Sequence, residues 1–113
     1  MKCLFCAIVS GEIPADIVRQ SDNVLAFNDI NPVAPTHVLI IPKIHSENAA
    51  ELTRANPAVL IECFEMAASI AKERELNGYR TVFNTGVDGG QEVPHFHVHV
   101  LGGRSVGPMT SAK

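Results

Sequence analysis

The segment HFHVHV at residues 95–100 places three of the chain's five histidines at every second position. Successive side chains of a β-strand point to opposite faces, so this alternation predicts a strand with His95, His97 and His99 on one face and apolar residues on the other. At about 3.3 Å per residue, the Cα atoms of His95 and His99 lie about 13 Å apart, whereas an imidazole reaches a metal at most about 6 Å from its own Cα. The three histidines therefore do not comfortably share one metal ion.

A row of imidazoles has two interpretations. It is either a solvent-facing strand that is merely rich in histidine, or a line of groups suited to nucleophilic attack and proton transfer along an extended ligand. Residues 85–94, just before the strand, contain Gly86, Gly89 and Gly90, and glycines let backbone amides approach an oxyanion closely. A neutral imidazole beside such a loop predicts phosphoryl or nucleotidyl transfer.

Composition limits the class of protein. The chain has 113 residues, of which 46% are hydrophobic and 19% charged, as is typical of one folded domain. Nine basic and twelve acidic residues give a net charge of −3, and the basic residues are scattered, so we expect no nucleic-acid polymer as partner. We find no apolar run typical of a membrane span or signal peptide, and the odd number of cysteines argues against a disulfide framework. We expect a cytoplasmic protein with reduced thiols and no membrane contact.

The order of predicted elements indicates an α+β fold. A short helix in residues 1–10 ends near Gly11, and a long helix with apolar residues at three- and four-residue steps runs from Asn56-Pro57 to a stop at Asn77-Gly78. Strands are predicted around residues 16–20, 23–28, 37–41, 80–84 and 95–101. Their order predicts a five-stranded, mostly antiparallel sheet, mostly in meander order, with the helices on one face.

The alternating segment also carries a family resemblance. HFHVHVLGG, preceded by GGQEVP, resembles the signature of the histidine triad (HIT) superfamily. FNDINPVAPTHVLIIPKIH resembles the corresponding segment of the histidine triad nucleotide-binding (HINT) branch, and Gly78-Tyr79-Arg80 and Asn84 also match. The resemblance covers nearly the whole chain and implies a single HIT domain over residues 1–113.

The resemblance implies a homodimeric hydrolase of purine nucleoside phosphoramidates or related AMP or GMP conjugates, acting through a nucleotidyl-histidine without a cofactor for the chemistry. By the same resemblance, His97 is the nucleophile and His99 holds the phosphate oxygens. His95 and His37 orient the nucleophile or assist proton transfer to the leaving group.

The resemblance also implies a nucleotide pocket. Asp29 would accept hydrogen bonds from the ribose hydroxyls, and a turn-capping aspartate is the alternative interpretation. The walls around the base would be apolar side chains that could equally be plain core: Phe5, Ile8, Phe27, Ile30 and Leu39. The phosphate side would be lined by Asn84, Gly90 and Gln91.

Glu92 stands where many members of the superfamily carry serine close to the scissile phosphate. A carboxylate there would repel an anionic leaving group and favour a cationic one, such as a lysine side-chain amine. Comparing hydrolysis of AMP-lysine with that of AMP linked to a neutral amine, in this protein and in Glu92→Ser, tests this hypothesis. An unchanged ratio would count against it.

Cys3-x-x-Cys6 is either a zinc half-site or a pair of small buried thiols. The resemblance implies structural zinc bound by Cys3, Cys6, His45 and His95. Such a site would pin the N-terminal segment onto the sheet and take His95 out of proton transfer. The third cysteine, Cys63, lies on the apolar face of the long helix and is expected in the core.

Two other functions remain open at this point. A dinucleoside polyphosphate hydrolase, which resembles the fragile-histidine-triad branch, would use the same central histidine. A nucleotide-binding or zinc-stabilised interaction module without significant turnover would have the same pocket. The LGG and GGQEVP surroundings favour the phosphoramidate hydrolase.

Overall fold

The computed structural model describes residues 3–109, which form three helices and five strands. The elements are α1 (Leu4–Ser10), β1 (Ile17–Gln20), β2 (Val24–Asn28), β3 (Thr36–Pro42), α2 (Ala49–Ala55), α3 (Pro57–Glu73), β4 (Tyr79–Val82) and β5 (Val98–Gly102). The predicted α+β class is confirmed. Within residues 3–109, no helix has the length and apolar character that crossing a membrane requires.

The five strands form one antiparallel sheet in the order β1-β2-β3-β5-β4. The predicted meander holds for the first three strands only, because β5 inserts between β3 and β4. His99 is consequently paired with Leu39 of β3 on one side and with Val82 of β4 on the other. The histidine segment thus leads into a central strand, which is held by ladders on both edges.

The sheet is covered on both faces, so the prediction of helices on a single face is wrong. Val38 and Ile40 pack against residues of α3 in one core cluster, whereas Leu39 and Ile41 pack with Phe5 of α1 in a second cluster. This arrangement buries all seven residues of β3. Burial on both faces explains why residues 38–42 of that strand are all apolar, without alternation.

The helices differ from the predictions in two respects: one helix was not predicted, and another ends earlier than expected. The sequence analysis missed α2, whose start is stabilised when the Asn48 side chain accepts the N–H of Glu51 at 2.9 Å and the Glu51 carboxylate accepts the N–H of Glu47 at 2.7 Å. These bonds satisfy donors that a helix start leaves free. The long helix begins at Pro57 as predicted but ends at Glu73, before Asn77-Gly78. Glu75 has a positive φ of 54° and takes the left-handed position usually given to glycine.

Two consecutive glycines, the last residue of β5 and the residue after it, lie at close packing contacts. A Cβ on Gly102 would lie 2.8 Å from Cδ1 of Leu76, and a Cβ on Gly103 would lie 2.8 Å from Cβ of Pro35. Gly103 also has a φ of 95°, which side chains rarely adopt. The end of β5 therefore packs directly on the turn after α3 and on the loop before β3.

We predict that Gly103→Ala destabilises the protein more than Gly11→Ala does. Both glycines have positive φ, but a Cβ at Gly11 would meet nothing within 4 Å. The left-handed strain of about 1–2 kcal/mol is common to both variants, and overpacking adds about 1–3 kcal/mol at Gly103 only. Denaturant unfolding with unchanged m-values measures the difference. Equal losses in the two variants would contradict the close packing.

Candidate active site

The three imidazoles lie on the side of the sheet covered by α1. The Phe5 ring contacts both His95 and His97, with centroids 5.8 and 5.1 Å apart, and the rings of His97 and His99 are 5.2 Å apart. Phe96 and Val98 belong to the opposite core cluster. The side chains alternate between the two faces from His95 onward, as predicted. Regular strand pairing begins only at Val98, three residues later than the predicted start of the strand.

A backbone carbonyl fixes the hydrogen on His97. Its Nδ1 lies 2.8 Å from the carbonyl oxygen of His95, which can only accept, so Nδ1 carries the hydrogen and donates it. In the neutral ring the lone pair is therefore on Nε2. That nitrogen is the one available to attack an electrophile.

A second chain of hydrogen bonds fixes His37 and His99. The N–H of Val33 donates to Nδ1 of His37 at 3.1 Å, so the hydrogen of the neutral ring is on Nε2. This Nε2 lies 2.9 Å from Nδ1 of His99, which therefore accepts and leaves the His99 hydrogen on Nε2. In the neutral rings, Nε2 of His99 thus carries a hydrogen, whereas Nε2 of His97 carries a lone pair.

Asp29 is engaged on both carboxylate oxygens. Oδ1 accepts the N–H of Asn31 at 2.8 Å, as a turn-capping aspartate does, and Oδ2 lies 3.3 Å from Nε2 of His37. Asp29, His37 and His99 have ligand atoms within 4.8 Å of one another. A metal on Nε2 of His37 would need the hydrogen moved to Nδ1, which would break the bond from Val33. The hydrogen bonding therefore opposes a metal at this trio.

The apolar residues assigned to a base pocket separate into core and surface. Phe5, Phe27 and Leu39 are buried in the cluster beneath α1, and Ile8 is half-buried against it. Ile30 is 90% exposed and lies on the surface. The buried three are core residues in this structure whether or not they also contact a base.

The glycine-rich loop holds itself together. The N–H groups of Gly90 and Gln91 donate to the carbonyls of Val87 and Gly86, so neither amide points freely at an anion. The Gln91 side chain accepts from the Gly86 N–H at 3.0 Å and donates to the carbonyls of Glu47 and Val93. Gln91 therefore ties the loop to the start of α2. Of the remaining loop residues singled out, Asn84 is half-buried and Glu92 exposed.

Cys3, Cys6, His45 and His95 bring four ligand atoms within 4.8 Å of one another. Nδ1 of His95 lies 3.3 Å from Sγ of Cys3, 3.6 Å from Sγ of Cys6 and 3.3 Å from Nδ1 of His45. Tetrahedral zinc with about 2.0 Å Zn–N and 2.3 Å Zn–S bonds separates its ligand atoms by about 3.3–3.8 Å. The four residues, here called the Cys/His cluster, therefore fit a tetrahedral zinc ion.

A hydrogen bond to the backbone orients the His95 ring so that Nδ1 faces the other residues of the cluster. Its Nε2 lies 2.8 Å from the carbonyl oxygen of Pro42 and must donate to it, which leaves the lone pair on Nδ1, facing the two thiols. Burial lowers the pKa of His95, and the bond to Pro42 opposes this shift. Burial and the neighbouring Cys3 thiol raise the pKa of Cys6. Both nitrogens of His95 therefore have polar neighbours, Nε2 the carbonyl of Pro42 and Nδ1 the thiol of Cys3.

Access to His97 is narrow. Its exposed fraction is 7%, and the Phe5 ring stands edge-on to it. Cavities of about 630 Å³, at the end of α3, and about 500 Å³, beside His45, are lined by neither His97 nor His99. The position of Phe5 therefore bears directly on whether a ligand reaches Nε2 of His97.

Sequence analysis missed the backbone groups that fix these imidazoles. The carbonyl of Pro42 and the N–H of Val33 have no residue-specific signal, because every residue except proline carries both groups. A prolyl carbonyl is likewise indistinguishable from any other in the sequence. The contact of Phe5 with His97 was also missed, since it joins parts of the chain more than 90 residues apart.

Comparison with known proteins agrees with this geometry. The HIT domain family matches residues 10–106. The purine nucleoside phosphoramidase of Escherichia coli K12 is 46% identical over 114 aligned positions, covering 99% of this chain and 96% of that protein. Protein HitA of Neisseria gonorrhoeae is 42% identical and covers 89% of this chain and 95% of its own length.

Solved structures show the same fold. A HIT family hydrolase from Clostridium thermocellum is 43% identical, with a TM-score of 0.89 and coverage of 95% of both chains. A histidine triad protein from Clostridium difficile is 42% identical, with a TM-score of 0.90 and coverage of 96% of both chains. On the family match, the identities and the histidine row together, this chain belongs to the HIT domain family.

Proposed function

We propose that this protein hydrolyses the P–N bond of purine nucleoside phosphoramidates, AMP or GMP joined to an amine. The observation that carries the proposal is the bond from Nδ1 of His97 to the His95 carbonyl, which leaves Nε2 as the nucleophile. The 46% identity to a protein named purine nucleoside phosphoramidase supports this choice of substrate.

The proposed reaction has two displacements at phosphorus. Nε2 of His97 first forms a bond to phosphorus while the P–N bond breaks, and the nitrogen of the leaving amine accepts one proton from solvent. Water then attacks the same phosphorus and releases one proton to solvent, the electron pair of the Nε2–P bond returns to Nε2, and the nucleoside monophosphate leaves with His97 neutral again. His99 donates from Nε2 to a non-bridging oxygen throughout, which stabilises the charge that develops there.

His37 and His95 act in this scheme by positioning. Nε2 of His37 donates to Nδ1 of His99, so the hydrogen of His99 is on Nε2, facing the proposed phosphate. The His95 carbonyl accepts from Nδ1 of His97, so the lone pair of His97 is on Nε2, also facing the phosphate. Because both nitrogens of each ring are already bonded, the earlier alternative that they transfer protons to the leaving group is disfavoured.

The nucleotide would lie between α1 and the histidine row. We infer that the base packs on the apolar side chains under α1 and that Ile30, from the surface, covers it. Asp29 would exchange its contact with His37 for the ribose hydroxyls while keeping the bond from Asn31. The phosphate side would be lined by the loop with Asn84, Gly90, Gln91 and Glu92.

We predict that His97→Ala abolishes covalent labelling of the protein by AMP-amine carrying a label on phosphorus. The rate of hydrolysis should fall by about 10³-fold or more, because the variant lacks the nucleophile. Single turnover followed by acid quench measures the trapped adenylate, and Arg54→Ala, exposed on α2, is the control.

Several outcomes would contradict the proposal. Labelling that persists in His97→Ala would assign the nucleophile elsewhere. Faster labelling by a dinucleoside polyphosphate than by AMP-amine would favour the alternative hydrolase, and AMP binding with no labelling of the unaltered protein would favour the non-catalytic module.

We further propose that the Cys/His cluster binds one structural zinc ion, because its ligand separations fit a tetrahedral site. Zinc would join α1 to the loop after β3 and to the residues preceding β5. The three cysteines are free thiols, which is consistent with the proposed location in the reducing cytoplasm.

We predict about one zinc per chain in protein purified without chelator, and none in the Cys3→Ser, Cys6→Ser double variant. Burial raises the pKa of Cys63 to about 12, so about 1 in 10⁴ of its thiols is ionised at pH 8. In the zinc-bound protein, a thiol reagent at pH 8 should therefore modify no cysteine rapidly. After chelation it should rapidly modify two cysteines, Cys3 and Cys6. Cys63→Ala is the control and should leave both results unchanged; rapid modification of Cys63 would contradict its burial.

Residues 1–113 are proposed to act as one HIT domain in each copy of a homodimer. β4 is an edge strand, and Tyr79 and the adjacent Phe83 are each 44% exposed. An exposed edge with aromatic side chains is suited to pairing with a second copy. Sedimentation at micromolar concentration tests this, and a single species of monomer mass would contradict it.

A further inference from the structure

His95 connects the Cys/His cluster to the nucleophile through a single residue. Its Nδ1 faces the thiols, its Nε2 donates to the carbonyl of Pro42, and its own carbonyl accepts the hydrogen of His97 Nδ1 at 2.8 Å. The residue is completely buried. The same residue therefore supplies both the ring that faces the thiols and the carbonyl that orients His97.

A second cluster ligand holds the same peptide group from its other end. The carbonyl of His95 and the N–H of Phe96 belong to one planar unit. That N–H donates at 2.7 Å to the carbonyl of Ser46, the residue immediately after His45. The peptide group between His95 and Phe96 therefore belongs in part to one cluster ligand, His95. It is also hydrogen-bonded to Ser46, the residue next to a second ligand, His45.

The two cysteines act on the nucleophile by a separate route. Phe5 lies between Cys3 and Cys6 in α1, and its ring stands 5.1 Å from the His97 ring at an angle of 86°. Phe5 is buried and also packs edge-on against Phe27, 5.7 Å away. Fixing the two flanking thiols therefore fixes the side chain that covers His97.

We propose that metal occupancy of the Cys/His cluster sets the position of the His97 ring, so that the cluster controls the rate of attack as well as the stability of the fold. The inference rests on the proposed phosphoramidase activity and zinc site. His45 and His95 are positioning residues in this scheme, since neither touches the substrate.

The alternative is a cluster that only staples α1 to the sheet. A staple would raise the melting temperature and leave the reaction of folded molecules unchanged. A positioning cluster changes the chemical step while ground-state nucleotide binding stays nearly constant, because misplacing a reacting atom by about 1 Å costs about 10²-fold in rate. Mutation of groups that hydrogen-bond to a metal ligand typically lowers metal affinity or activity about 10–100-fold.

The test compares four samples: the zinc-loaded protein, the same protein after chelation, and the variants Cys3→Ser and His45→Asn. All are measured well below the melting temperature of the least stable form. The single-turnover rate constant for adenylate transfer to His97 and the Kd for AMP are measured for each. The resonance of the His97 Nδ1 hydrogen in ¹⁵N-histidine-labelled protein gives a readout that does not depend on turnover.

We expect chelation and each variant to lower the transfer rate about 10–100-fold, to change the Kd for AMP less than about threefold, and to shift or broaden the Nδ1 resonance. Added zinc should restore the chelated wild-type protein and fail to restore Cys3→Ser. Cys63→Ala is the matched control, because it removes a buried thiol of α3 outside the cluster. It should lower stability while leaving the rate and the resonance unchanged.

Folded, zinc-free protein that keeps both the loaded rate and the loaded resonance would overturn the inference, as would failure to bind zinc at all. An equal loss of rate in Cys63→Ala would do the same, since destabilisation alone would then explain the result. If the zinc-loaded protein transfers no adenylate, the proposed function fails, and the resonance still decides whether zinc positions His97.

Discussion

The hydrogen bond from Nδ1 of His97 to the carbonyl of His95 is the interaction on which the rest of the site depends. It assigns one nitrogen of a neutral ring to the backbone and leaves the other for chemistry. A side-chain acceptor could rotate away, whereas a carbonyl fixed at both ends of its peptide cannot. The backbone next to β5 therefore performs the orienting role that a carboxylate performs in many other nucleophile sites.

Strand order explains why this backbone is so well held. Because β5 lies between β3 and β4, residues leading into it are packed against the longest strand, and Pro42 at the end of β3 accepts from His95. The opposite face of the same segment inserts Phe96 and Val98 into the core under α3. Burial of Phe96 and Val98 on one face of the segment therefore helps to fix the backbone that positions the imidazoles on the opposite face.

Parts of this arrangement followed from local sequence, and parts did not. The alternation of residues 95–100 predicted the shared face of the imidazoles, and Asn56-Pro57 predicted where α3 begins, because both are local effects of backbone geometry. The insertion of β5 beside β3 depends on contacts between distant residues, which periodicity does not encode. The end of α3 was misplaced because Glu75 adopts the conformation expected of glycine. Asn48 and Glu51 are a capping pair that could have indicated where α2 starts. With only seven residues, however, the helix is too short to show a periodic pattern of apolar residues.

The packing of the loop before β3 bears on how sequence variation in this protein should be interpreted. Arg104 donates to the carbonyl of Val33 at 2.6 Å, and Gly103 lies against Pro35, so the turn after β5 supports the loop whose Val33 N–H fixes His37. A replacement in that turn can therefore displace the His37 ring, and under the proposed function lower activity, without altering any of the five histidines or the two cysteines of the cluster. In a mutational scan such positions would be as intolerant as the histidines, and intolerance alone would not mark a residue as one that meets the substrate.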